Sequence, residues 1–243
     1  MLLEELGGFI DKNTTQLTIR GPLDSEEFKM CLQHVSSKTL TFIDGNINFC
    51  SLVNALSPIP IYLEELNLIN CRLNGPGTEC MNRTWRHLGH DTTIHRYFGG
   101  FCGDRADCIT AIDQIARINT LTHLNMSNNR IGRLGISVLA RNLRSMIKLS
   151  ELNLSGNSID NYGAISLAEG FAYDCNLATL ELSDNRIEND GAMTLACALT
   201  ENRSLRKLIL AKNLIGGRGV NALAIAINLN KTLNVLDLQS LLR

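Results

Sequence analysis

The chain has 243 residues, 44% of them hydrophobic and 19% charged, and its 23 Lys+Arg against 24 Asp+Glu leave a formal charge of -1. That balance supports a folded core and excludes a disordered chain. It also excludes the strong basic field that drives nucleic-acid binding. No apolar run reaches the ~18 residues of a membrane span, and Met1-Leu-Leu-Glu-Glu lacks the basic start of a secretory signal.

The cysteines Cys31, Cys50, Cys71, Cys80, Cys102, Cys108, Cys175 and Cys197 are scattered and form no disulfide framework. The expectation is reduced thiols and a cytoplasmic protein. Residues 1–62 show weak strand signals at Leu17 and Ile19, then at Leu40 and Phe42. Helical segments carrying Phe28, Cys31 and Leu32, then Leu52, Val53 and Leu56, lie after them. This stretch reads as degenerate repeats acting as an N-terminal cap.

Residues 63–73 sharpen into a pattern: Leu63, Leu66, Leu68, Cys71 and Leu73. The same pattern opens again at Leu121, and 121 − 63 = 58, or two copies of about 29. An irregular repeat is therefore expected between them, with its strand somewhere in 92–98. Its helix is expected to start at Asp104-Arg-Ala-Asp107 and to carry Ile109, Ile112, Ile115 and Ile118.

From residue 121 the repeat is regular. Leu121, Leu149, Leu177, Leu205 and Leu233 are each 28 apart (149 − 121 = 28). Each opens L-x-x-L-x-L-x-x-N-x-I or close to it. The four complete copies place Asn129, Asn157, Asn185 and Asn213 at the same position. Gly135, Gly163, Gly191 and Gly219 follow, then Leu-Ala pairs at 139, 167, 195 and 223. Period 2 giving way to spacings of 3 and 4 marks a short strand followed by an amphipathic helix. One such unit cannot bury its own apolar stripe, whereas stacked copies share a continuous core. The recurring Asn can satisfy backbone groups where the strand turns away, forming a ladder along the stack. The triplets N-x-[ST] beginning at Asn125, Asn153 and Asn202 read as part of this repeat chemistry, not as glycosylation sites. The last strand, at 233–238, has no helix behind it, so Leu238 and Leu241 are expected to be under-covered. Self-association, a trimmed parent chain or a frayed strand would each account for that.

These residues strongly resemble the leucine-rich repeat family, and the 28-residue length with G-x-x-x-L-A-x-x-L resembles its ribonuclease-inhibitor-like subclass. The resemblance implies an α/β solenoid, a horseshoe with parallel strands on the concave face and helices on the convex face. It covers 121–238 clearly. The whole chain 1–243 then reads as one domain: 1–62 a degenerate cap, 63–120 two repeats, the second irregular, and 121–238 regular repeats.

No nucleotide-binding loop, hydrolase elbow or metalloprotease motif is present. Gly216-Gly217-Arg218-Gly219 falls at the loop-to-helix position of its repeat and reads as structural. The window 80–108 holds Cys80, His87, His90, His95, Cys102 and Cys108, but without zinc-finger spacing. No metal ligand, catalytic residue or cofactor is assigned. The same window holds Trp85, Tyr97, Phe98 and Phe101, aromatic residues suited to a binding flank.

In the strands, alternate residues point to the concave side. The candidate partner-binding residues are Glu65, Trp85, Tyr97, His123, Asn125, Glu151, Asn153, Glu181 and Lys207. Glu65, Glu151 and Glu181 give the middle of that face an acidic tint, and Arg203, Arg206, Lys207, Lys212 and Arg218 make its C-terminal end basic. The resemblance implies protein–protein recognition without catalysis, with no nucleic acid and no membrane span. It extends to effectors that intracellular bacteria, Legionella-like ones among them, deliver into the host cytosol. Two alternatives stand beside it: a cytosolic regulator or inhibitor of an enzyme or small GTPase, and a metal-binding enzyme using the 80–108 window.

Overall fold

The computed structural model describes residues 9–11, 16–20, 38–43, 46–48, 63–74, 112–113, 115–172 and 175–240. In the regular repeats from residue 121 the alternating leucines form one short strand each. In chain order the strands are β1 (Phe9–Asp11), β2 (Gln16–Arg20), β3 (Thr39–Ile43), β4 (Asn46–Asn48), β5 (Glu65–Ile69), β6 (Arg72–Asn74) and β7 (His123–Asn125). Then strand and helix alternate: α1 (Gly132–Asn142), β8 (Glu151–Asn153), α2 (Asn161–Phe171), β9 (Thr179–Glu181), α3 (Asn189–Glu201), β10 (Lys207–Ile209), α4 (Gly217–Leu229) and β11 (Val235–Asp237).

Among the described residues one nine-stranded sheet runs β1-β2-β3-β5-β7-β8-β9-β10-β11, and β4 pairs with β6 separately. Only β1 and β2 are antiparallel in that sheet. From β2 onward every pair is parallel. The register aligns Leu66, Leu124, Leu152, Leu180, Leu208 and Leu236. The first five of these are buried, as are Leu139, Leu167, Leu195 and Leu223 on the helices that pack against the strands. This is the α/β solenoid expected from the repeat.

β5 pairs directly with β7, Leu66 beside Leu124, so the sheet passes between these repeats with no intervening strand. The strand expected in 92–98 lies outside the described residues. The helix expected before residue 121 is present at 112–113 and 115–116, with Ile112 and Ile115 fully buried.

Three side-chain ladders fasten each repeat to its neighbour. The first is the expected asparagine ladder. Asn185 Oδ1 accepts from Asn157 N (3.0 Å) and Ile159 N (2.9 Å), and its Nδ2 donates to the carbonyls of Leu154 (3.1 Å) and Leu182 (2.9 Å). Asn157 does the same one repeat earlier, and Asn129 reaches Cys71 N (2.8 Å) and the Leu68 carbonyl (2.6 Å). Every group is buried, so each bond answers a backbone donor or acceptor that water cannot reach.

The second ladder follows the helices. Asn202 Nδ2 donates to the Phe171 carbonyl, and its Oδ1 accepts from Leu205 N (2.7 Å). Asn230 repeats this on Leu199 (2.6 Å) and Leu233 N (2.7 Å). The third caps helix N-termini from the repeat before. Asn161 Oδ1 accepts from Glu188 N (2.9 Å) and Gly191 N (3.0 Å) at the start of α3. Asn189 Oδ1 accepts from Gly216 N (3.1 Å) and Gly219 N (2.8 Å) at the start of α4. These are orphan donors of a helix start, met across the repeat boundary. The Gly216–Gly219 cluster is thereby structural. A Cβ on Gly219 would sit 2.6 Å from Ile215 Cγ2 and 2.9 Å from Ala192 Cβ.

The strand face as candidate binding surface

Parallel register turns outward-facing residues into columns. The first column is Glu65, His123, Glu151, Thr179, Lys207 and Val235. The second begins Asn67, Asn125, Asn153, Glu181 and continues to Ile209 and Asp237. None of these residues is buried.

The two columns do different work. In the second, Asn125 Oδ1 accepts from Ser127 N (3.0 Å) and Asn153 Oδ1 from Ser155 N (3.0 Å). Glu181 Oε1 accepts from Ser183 N (3.0 Å) and Asp237 Oδ1 from Gln239 N (2.9 Å). Each side chain closes a two-residue turn as its strand ends, an Asx-type bond that Asn and Asp make readily. Glu181 shares this task and is not a free member of an acidic patch. Asn153 and Asp237 accept in the same way at this position on β8 and β11, whereas Ile209 on β10 supplies no acceptor.

The first column carries the free chemistry. His123 lies between two carboxylates, Nδ1 3.8 Å from Glu65 Oε1 and Nε2 3.5 Å from Glu151 Oε1. The Thr122 hydroxyl is 2.8 Å from Nδ1. Thr39 Oγ1 donates to Glu65 Oε2 (3.2 Å), extending the row one strand further. Glu151 is exposed, as are Lys207 and Val235 two and three strands beyond it. Trp85 and Tyr97 lie outside the described residues, as does the 80–108 window. Among the basic residues, Arg203 donates to the Thr200 (2.7 Å) and Asn202 (3.1 Å) carbonyls at the end of α3, where a cation meets the negative pole of the helix.

At the strand-exit rim, Arg133 Nη2 contacts Asp160 Oδ2 at 2.6 Å, and its guanidinium stacks 3.9 Å over the Tyr162 ring. Partial burial works upward on the Asp160 carboxyl. The Arg133 hydrogen bond, the Gly163 amide and the Arg133 charge outweigh it and hold Asp160 below the usual carboxylate range. Among the described residues no group of three or more His, Cys, Asp or Glu is placed to hold a metal ion, and no helix is long and apolar enough to cross a membrane.

A sequence profile described as the leucine rich repeat matches residues 117–140, 145–168, 173–196 and 201–224. These segments are leucine-rich repeats. The profile starts each repeat just ahead of its leucine strand and ends inside the helix, in phase with β7–α1 through β10–α4. The structure is similar to two solved leucine-rich repeat chains. One is leiomodin-1 actin-binding site 2, at 20% identity over 54% of this chain and 76% of that one, with a TM-score of 0.48. The other is the tropomodulin C-terminal domain of Caenorhabditis elegans, at 16% identity over 54% and 80%, with a TM-score of 0.47. No curated protein sequence matches the chain.

Proposed function

We propose that this leucine-rich repeat chain is a non-catalytic protein-interaction module that holds a protein partner on its strand face. The observation that carries the reading is the division between the columns. Four residues of the second column close turns, while Glu65, His123, Glu151 and Lys207 stand in register on β5, β7, β8 and β10, each at least partly exposed. A rigid row of mixed charge selects and orients a complementary partner. The cytoplasmic setting, the ribonuclease-inhibitor-like subclass and action as a bacterial effector in a host cell belong to the same proposal. A photo-crosslinking residue placed at position 151 should trap the partner, and one at Glu169 on the helical side should not. Trapping at 169 alone would reject this face.

A second reading rests on the last repeat. Leu199, Leu205, Leu208 and Leu210 are buried, whereas their counterparts Ile227, Leu233, Leu236 and Leu238 are each partly exposed. An apolar end of this kind favours self-association. Ultracentrifugation of the native protein beside Ile227→Lys tests it: a dimer lost on substitution supports it, and a native monomer at high concentration removes it.

A further inference from the structure

The row through His123 holds a chemistry that partner binding alone does not use. Two carboxylates flank one imidazole, each facing a different ring nitrogen, at 3.8 Å and 3.5 Å. The nearest partner of Nδ1 is the Thr122 hydroxyl at 2.8 Å, so a proton on Nδ1 goes to Thr122, while a neutral ring protonated there turns a bare Nε2 toward Glu151 and an imidazolium turns an N–H toward it. The Thr122 hydroxyl itself donates to the Glu64 carbonyl at 3.0 Å, which leaves it an acceptor toward Nδ1. Glu65, 3.8 Å from Nδ1, meets only the charge of the ring, and the other near neighbours of the row are neutral or engaged. On β3 the facing group is the neutral Thr39, which donates to Glu65. Glu64, next to Glu65, is paired with Lys38 at 2.8 Å. On β9 the next residue of the row is Thr179, and Glu181 is engaged with Ser183 N. Lys207 stands on β10, two strands beyond Glu151 and about 10 Å away at the usual strand spacing.

We propose that His123 is a proton-operated tie on the strand face. As imidazolium it directs Nε2–H at Glu151 while its charge attracts Glu65, drawing together side chains of β5, β7 and β8. As neutral imidazole it leaves Glu151 open to a cationic group of a partner. Histidine is the side chain suited to this between pH 5 and 8. The proton balance is simple: one proton from solvent adds to the ring, and the three-residue row passes from charge -2 to -1. Acidification therefore closes the row against a basic partner. That consequence rests on the proposed binding face, whereas the tie itself does not.

Carboxylate carbon-13 NMR across about pH 8 to 5 tests the tie with the protein alone. The side-chain carboxyl signals of Glu65 and Glu151 should shift in step with the His123 ring. Both steps should vanish in His123→Gln, which keeps a polar group but cannot take the proton. The circular dichroism of that variant should match the native protein. Carboxyl signals that stay flat through the ring's titration overturn the tie, and so does the same step persisting in His123→Gln. If the tie is seen but reversing Glu65 and Glu151 leaves partner capture intact, the tie stands and the binding face fails.

Discussion

Leu66 lies beside Leu124 in adjacent parallel strands, although 124 − 66 = 58 residues separate them. Asn129 confirms the adjacency from the next turn, reaching Cys71 N at 2.8 Å. A regular repeat needs 28 residues for this step, so 58 − 28 = 30 are additional. Counting back from Leu121 places Asp104 at the helix-cap position that Asp160 holds before Leu177 (121 − 104 = 17 and 177 − 160 = 17). Counting forward from Leu63 places Asn74 at the same position (74 − 63 = 11 and 160 − 149 = 11). Joining Asn74 to Arg105, with residues 75–104 removed, should therefore leave a folded stack with a cooperative melt. A chain that loses cooperative unfolding would show that those residues complete the stack.

Mid-stack leucines set the stability. Leu180 is fully buried between Leu152 and Leu208. Leu180→Ala should cost about 2–5 kcal/mol, the range for a large-to-small core substitution. Urea unfolding measures it, and a midpoint unchanged within error would contradict the register.

The ladders should matter individually. Asn185→Leu leaves Asn157 N and Ile159 N buried without acceptors, and should destabilise by at least about 1–3 kcal/mol. Asn189→Ala removes the cap that one repeat lends to α4 and should cost about 1 kcal/mol. If Asn189→Ala alone were neutral, the cross-boundary cap would carry no stability.

Asp160 gives a pH dependence with a definite sign. Its folded carboxyl is held below its ordinary value, so the stability it adds is present above about pH 4 and is lost as pH falls through the folded value. Thermal melts from pH 7 to 3 should show a shallower acid decline in Asp160→Asn than in the native protein. The side chain is 39% exposed, so screening keeps the difference small, and 0.5 M salt should reduce it further. An identical acid slope in both proteins would remove Asp160 as a contributor.

How much was legible in the sequence follows from which residues repeat in phase. Leu124, Leu152, Leu180 and Leu208 sit on one period, so strand, register and burial could be read directly, and Asn157 and Asn185 with them. The second ladder was legible too, since Asn202-Arg-Ser-Leu and Asn230-Lys-Thr-Leu are 28 apart (230 − 202 = 28), but only two copies show it. The cross-boundary caps at Asn161 and Asn189 were hidden because the bond joins residues 27 to 30 apart and local capping rules look within four. The 63–121 interval is ambiguous because 58 is close to twice the repeat length, and arithmetic cannot tell two repeats from one repeat with added residues. On the strand face, composition grouped Glu181 with Glu65 and Glu151. Only geometry shows that one oxygen of Glu181 is tied to the backbone, while Glu65 and Glu151 flank His123.

The partner trapped by crosslinking at position 151, once purified, allows the most direct test of the binding face. Its affinity should be measured for the native chain, for Glu65→Lys with Glu151→Lys, and for Glu169→Lys with Glu201→Lys on the helical side. Each double variant changes net charge by the same amount, so a general electrostatic effect moves both alike. The account predicts at least a roughly tenfold loss for the strand-face pair and little change for the helical pair. A loss confined to the helical pair would contradict it.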